Sequence, residues 1–220
     1  TVSHTAVASV AAIEATGASP VLVDVEKNFY TLDSSQLEEA FSLRTKCVIV
    51  VHLYGQPANI EVIKVFCDKN NLFLIEDTSQ AHGATYKNMR LGSFGDIGCF
   101  SCYPTKNLGA IGDAGLITTN NSALSSKIKM LREYGWRNRV SEFPGRNSRL
   151  DEIQAAVLRI KLRHLDDYAT RRLAVADKYD AAFESSDKIK IPVRNSNSTH
   201  VFHQYTLVLN GIDRDAMRLY

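Results

Sequence analysis

Two short, almost wholly apolar runs frame an amphipathic stretch early in the sequence, and they constrain the fold more than any other feature. Lys46–His52 (KCVIVVH) and Leu72–Ile75 (LFLI) are too short for helices, rich in β-branched residues, and show no alternation of polar and apolar positions. Such runs are strands buried on both faces. Between them Asn59 is placed to cap a helix on which Ile60, Ile63, Val65 and Phe66 recur near helical spacing, ending about Asn70-Asn71. Strand, helix and strand in that order form a right-handed crossover in a mainly parallel sheet with helices on both faces. The fold class is therefore α/β.

The remaining segments extend this pattern and then break it. Pro20–Val25 (PVLVDV) reads as a strand, and Asp33-Ser34-Ser35-Gln36 as a capping box opening a helix through Phe41. Ile97–Cys102 and Leu116–Thr119 read as strands joined by a glycine-rich loop instead of a helix. Ser122–Tyr134 returns to helix. From Arg149 to about Ser185 the pattern predicts almost one long helix, with Leu150, Ile153, Ala156, Val157, Ile160 and Leu165 repeating at three and four. Val201–Leu209 (VFHQYTLVL) reads as a strand of a second unit, and Arg214–Tyr220 as the start of a helix without a stop signal. The expected division is a large domain over 1–165, followed by a long-helix connection and the start of a small C-terminal domain over 166–220. Because Thr1 is not a start residue and the last helix is open-ended, the sequence is expected to be a fragment lacking both ends.

Charge narrows the partners. Lys and Arg number 26 against 24 Asp and Glu, a net charge of 26 − 24 = +2, which offers no electrostatic attraction for nucleic acid or for an anionic membrane surface. No run approaches the roughly 18 apolar residues of a membrane span. The cysteines Cys47, Cys67, Cys99 and Cys102 lie in apolar settings. Cys99 and Cys102 form a C-x-x-C, but inside a strand-like run and without a second pair to complete a zinc site. They read as small strand residues in a reducing, cytoplasmic setting, with no metal.

Few segments carry chemistry. The loop Leu108–Gly115 (LGAIGDAG) is spaced G-x-x-G-x-x-G and leads into a strand, so it is not a dinucleotide turn, which must open a helix. Asp77 stands where the buried run ends, at the sheet edge where α/β proteins bind ligands. It reads either as the cap of the next turn or as a fixed charge holding a cation or a protonated ring nitrogen, and Gln80 and His82 follow on the same edge. Lys106 lies between a strand and the glycine loop among small and apolar residues. It is either a surface charge or a partly desolvated amine nucleophile. Arg132, Arg137, Arg139, Arg146 and Arg149 crowd one loop, either solvated or facing an anion. His200 and His203 fall on opposite faces of the expected strand, which argues against a shared metal.

Several runs together resemble the PLP-dependent nucleotide-sugar aminotransferases of the DegT/StrS type. These are His52-Leu53-Tyr54-Gly55, Glu76-Asp77-Thr78-Ser79-Gln80-Ala81-His82-Gly83-Ala84, Gly92–Asp96, Phe100–Ala110, Gly112–Gly115 and Asn147–Glu152. The similarity extends from Ser3-His4-Thr5 to His203-Gln204-Tyr205, nearly the whole chain. It implies the large domain of a fold-type-I PLP-dependent transferase with the start of a small C-terminal α/β domain. It also implies pyridoxal 5'-phosphate bound covalently by Lys106, its ring nitrogen paired with Asp77, Gln80 beside its hydroxyl, and Ser101 on its phosphate. Asn147 would reach the phosphate in the neighbouring subunit of a homodimer with shared active sites.

The implied reaction moves an amine from glutamate to a dTDP- or UDP-linked keto-sugar nucleotide, at C3 by the likeness of the Tyr134-Gly135-Trp136 turn. The product would enter cell-surface polysaccharide or antibiotic-sugar biosynthesis. Lysine at 106 separates the chain from dehydratase relatives, which carry histidine there. Three departures stand out: an upstream Gly-Thr phosphate-binding turn is absent, Ala6 replaces a ring-stacking aromatic, and Ala114 replaces a glycine of the turn. Alternatives are a fold-type-I enzyme acting on an amino acid and a non-catalytic regulatory protein of the same fold.

Overall fold

The computed structural model describes residues 1–219. The elements in chain order are α1 (Ala8–Glu14), α2 (Leu37–Ala40), β1 (Cys47–Val51), α3 (Ile60–Lys69), β2 (Phe73–Asp77), β3 (Thr85–Tyr86) and β4 (Met89–Arg90). They continue with β5 (Ile97–Ser101), β6 (Gly115–Thr118), α4 (Ser122–Leu131), β7 (Trp136–Arg137), β8 (Val140–Ser141), α5 (Glu152–Leu162), α6 (Leu165–Phe183), β9 (Ile189–Lys190), β10 (Val208–Leu209) and α7 (Arg214–Leu219).

The central sheet runs β1-β2-β5-β6. β1, β2 and β5 are parallel, and β6 returns antiparallel to β5 after the glycine-rich connection, which forms no crossover helix. The register places Val51 beside Asp77 and Asp77 beside Cys99, so β1 and β2 end together and β5 runs on to Ser101. The core is the β1–β2 pair packed on α3: Val48, Val50, Leu74, Ile60, Ile63 and Cys67 are all buried. A smaller cluster of Cys102, Leu108, Ala110 and Leu158 holds the loop after β5 against α5.

Several expectations need correction. Pro20–Val25 makes only isolated bridges, Val2 with Val23 and Val25 with Leu32, since the polar Asp24 turns its carboxylate to its own backbone at the Val25 N–H. Asp33 does cap, accepting from Ser35 N at 3.0 Å, but the box is not reciprocal: Gln36 donates to the Asp33 side chain and accepts from Asp24 N. Asn59 occupies the cap position of α3 without a side-chain bond, and Val65 is exposed. The long helical pattern splits into α5 and α6 at Arg163-His164. Its apolar repeat is no buried stripe, because Ile153 and Ile160 are 70% and 61% exposed and only Leu158 of α5 is buried. Val201–Leu209 is strand only at Val208–Leu209, since Phe202 takes φ 43°, which no strand permits. All four residues of β6 are exposed, so the sheet is covered at β1–β2 and open at this edge.

Candidate active site

The parallel strands deliver their polar ends to one edge of the sheet, beginning with a buried anchor. Glu76 is fully buried on β2, and its Oε1 accepts the Phe94 and Gly95 N–H groups at 2.7 and 2.8 Å. Its Oε2 accepts Gly92 N at 2.8 Å and His52 Nε2 at 3.1 Å. His52 Nδ1 takes the Ala58 N–H at 3.1 Å, so Nε2 carries the hydrogen given to Glu76. Burial raises the Glu76 carboxyl, but the His52 contact and the Gly95 and Gly92 N–H bonds outweigh it and hold the group below the usual carboxylate range.

Asp77, the next residue along β2, therefore projects to the opposite face of the sheet. Its Oδ1 caps the following turn by accepting Ser79 N at 3.1 Å, and its Oδ2 accepts the Ser9 hydroxyl of α1 at 2.7 Å. The capping reading of Asp77 holds, and its charge also acts on Lys106. Burial lowers the Lys106 amine from the usual lysine value against a smaller opposing pull from Asp77. Ser101 sits at the end of β5, where its N–H donates to Ser79 Oγ at 3.3 Å. Gln80 Oε1 accepts Tyr54 N at 2.7 Å, which fixes its oxygen and leaves its amide N–H groups for another partner. Asp77, Gln80, Ser101 and Lys106 thus gather at one edge.

Asn147 does not join them in the same chain. It lies exposed on the loop before α5, bridged to Glu133 and accepting Arg149 N at 3.5 Å. The arginine-rich segment folds as the β7–β8 hairpin, whose turn residues Asn138 and Arg139 both take positive φ. Arg137 there pairs with Glu142, and Arg149 covers the Tyr134 ring.

A cavity of about 650 Å³ opens beside Lys106. Its cations are Lys161, Arg171 and Arg172, none of them from the arginine-rich loop, and Tyr168, Phe202 and His203 contribute aromatic walls. The sequence pointed to His203 only as a rejected metal ligand and did not single out Lys161, Tyr168, Arg171, Arg172 or Phe202, because the facing of these charges is set by how α5 and α6 pack. His82 is fully buried with neither ring nitrogen bonded among the described residues. Burial, aided by the charges of Lys106 and His203, pushes its imidazole down to about 4. The thiols of Cys47, Cys99 and Cys102 are raised to about 11 and that of Cys67 to about 12, chiefly by burial, so none is a ready thiolate. No group of three or more His, Cys, Asp or Glu side chains among the described residues could hold a metal, and no helix among them is long and apolar enough to cross a membrane.

A lysine amine and a strand-end carboxylate on one sheet edge is the arrangement against which known proteins can be compared. The model of the DegT/DnrJ/EryC1/StrS aminotransferase family matches residues 1–219. The chain belongs to that family.

A relative from Streptomyces venezuelae, dTDP-3-amino-3,4,6-trideoxy-alpha-D-glucose transaminase, is 43% identical over 206 residues, 93% of this chain and 54% of the relative. One from Aneurinibacillus thermoaerophilus, dTDP-3-amino-3,6-dideoxy-alpha-D-galactopyranose transaminase, is 45% identical over 219 residues, 99% of this chain and 60% of the relative. The crystal structure of S. venezuelae DesV in complex with a ketimine intermediate superposes with a TM-score of 0.96 at 41% identity, covering 100% of this chain and 59% of DesV. The chain thus spans a little over half the length of the curated relatives it matches, and its architecture is the α/β fold of the fold-type-I PLP-dependent transferases.

Proposed function

We propose that this chain forms the cofactor-holding part of a nucleotide-sugar aminotransferase that uses pyridoxal 5'-phosphate. The observation that carries this reading is Lys106, whose amine is depressed by burial and faces the charge of Asp77 at the end of the parallel strands. Fit to the cofactor is supported by unpaired buried polar atoms on the same edge, the Thr78 hydroxyl and both His82 ring nitrogens, and by the unused amide of Gln80. When bound, pyridoxal phosphate supplies a ring that accepts the electron pair released at the amino-bearing carbon.

Lys106 Nζ would hold the cofactor and would carry the proton released at the donor carbon. Asp77, whose carboxylate accepts from Ser9 and Ser79, would supply the negative charge that pairs with the cofactor's ring nitrogen. Gln80 contacts the ring hydroxyl, and Ser101 with Asn147 of the partner subunit holds the phosphate. Glutamate is the amino donor, and the acceptor is a dTDP- or UDP-linked keto-deoxysugar; the names of both relatives favour amination at C3. Residues 1–165 form the large domain, and 166–220 the connection and the start of a smaller domain. The enzyme is a cytoplasmic homodimer.

The test is mass spectrometry of the products formed from glutamate and a panel of 3-keto and 4-keto sugar nucleotides. An amino sugar nucleotide from a 3-keto substrate is expected. A product only from a 4-keto sugar would move the site of amination. Turnover of amino and keto acids alone would favour an amino-acid aminotransferase, and a colourless protein without turnover would favour a regulatory role.

A further inference from the structure

His203 enters the Lys106 cavity on a segment held in a conformation that bulky residues avoid. Phe202, immediately before it, has φ 43°. Its N–H donates to His200 Nδ1 at 3.0 Å, and its carbonyl accepts Arg172 Nη1 at 3.1 Å. Its ring stacks on His200 with centroids 3.8 Å apart and lies 4.9 Å from the Arg194 guanidinium. On either side, Val201 N donates to Gly55 O at 2.8 Å and Gln204 N to Tyr54 O at 3.3 Å. Left-handed backbone this heavily anchored is a mark of functional placement, and what it places is the imidazole of His203.

That imidazole has a defined hydrogen. Asn107 Nδ2 donates to Val201 O at 3.0 Å, which leaves Asn107 Oδ1 as the atom 3.3 Å from His203 Nδ1. An amide oxygen only accepts, so Nδ1 carries the hydrogen and Nε2 presents a bare lone pair. Burial, with Lys106 and Arg172 nearby, pushes the group down to about 4, so it stays neutral at neutral pH. Nε2 makes no hydrogen bond among the described residues, and the ring lines the cavity with Lys106. Lys161, Arg171 and Arg172 line that cavity, Arg171 paired with Asp167, and their positive charge suits the phosphates of a sugar nucleotide. Among the donors a sugar nucleotide offers, the ring hydroxyls lie closest to the carbon that reacts at Lys106, which lines the same cavity as His203.

We infer that His203 determines sugar specificity: its Nε2 accepts a hydrogen bond from one ring hydroxyl of the sugar nucleotide, with Asn107 fixing the tautomer. This rests on the aminotransferase reading. The test compares the parent holoenzyme with His203→Phe and His203→Gln on an accepted keto-sugar nucleotide and its monodeoxy analogues. ¹⁵N NMR of the parent gives a readout independent of turnover, and an unprotonated Nε2 is expected. His203→Phe is expected to raise KM for the hydroxylated sugar roughly tenfold, the worth of one hydrogen bond, with kcat nearly unchanged. One deoxy analogue should no longer be discriminated, KM for glutamate should not move, and Gln should restore part of the preference. Equal losses on every analogue, an unchanged KM, a protonated Nε2, or a rise confined to glutamate overturns the inference while the aminotransferase reading stands. A parent enzyme that aminates no sugar nucleotide overturns both.

Discussion

In the proposed mechanism Lys106 and Asp77 have different tasks, so their substitutions separate. Lys106→Ala removes both the cofactor anchor and the proton carrier, and turnover is expected to fall by at least about a thousandfold. The thermal melt should remain near that of the parent. Lys106→Arg should not rescue, because a guanidinium keeps its proton. Retention of more than a few per cent of parental turnover would remove Lys106 from the mechanism. Asp77→Asn keeps an acceptor for Ser9 or Ser79, so the turn should survive and the cofactor should still bind. An amide cannot balance a ring charge, and activity is expected to drop at least about tenfold. Cofactor absorbance together with kcat decides the matter, since equal kcat would leave Asp77 only its capping role. Asp77 could be placed from the sequence because it ends the apolar run of β2, and Lys106 because it follows β5 at the start of the glycine-rich loop. His203 and Arg172 could not, because their positions depend on a left-handed Phe202 and on the packing of α6.

At the scale of the element, β2 is a two-sided device: Glu76 ties its inner face to the loop at Gly92–Gly95 and to His52, while Asp77 faces outward to the ligand edge. Glu76→Gln replaces one acceptor oxygen by a donor among four N–H groups and is expected to cost roughly 2–4 kcal/mol in denaturant unfolding. Because the folded carboxyl lies below its unfolded value of 4.5, its contribution is complete above that value. It is lost as pH falls through the folded value. Parent and Glu76→Gln should therefore converge in stability below about pH 4.5, and a difference that persists unchanged in acid would show that the charge is not what matters. The alternation along β2 was not readable, because the run Leu72–Ile75 predicts a strand buried on both faces, whereas Phe73 is 62% exposed between buried Leu72 and Leu74, and Glu76 is buried. The division of Arg149–Ser185 into α5 and α6 was not readable either, because periodicity alone does not distinguish a buried stripe from the exposed row of Ile153 and Ile160.

For the whole molecule, the position of Asn147 away from the other site residues of its own chain makes assembly testable. If it completes the partner's site, Asn147→Ala weakens cofactor retention by about 1.5–3 kcal/mol, the value of one charge-assisted bond. Mixing Lys106→Ala and Asn147→Ala subunits should then restore cofactor affinity at up to about half of the sites in a pure heterodimer, because one site keeps both residues and the other lacks both. No gain on mixing, with exchange of subunits demonstrated, would place Asn147 in its own subunit.

The buried carboxylate of Glu76 also sets a clock. The amides of Gly92, Phe94 and Gly95 lie in a loop, where exchange with deuterated solvent is ordinarily fast, yet each is bonded to a side chain with no exposed surface. Releasing any of them requires opening the β1–β2 core, so these loop amides should outlast those on the open side of the edge strand β6 and should report the global unfolding free energy.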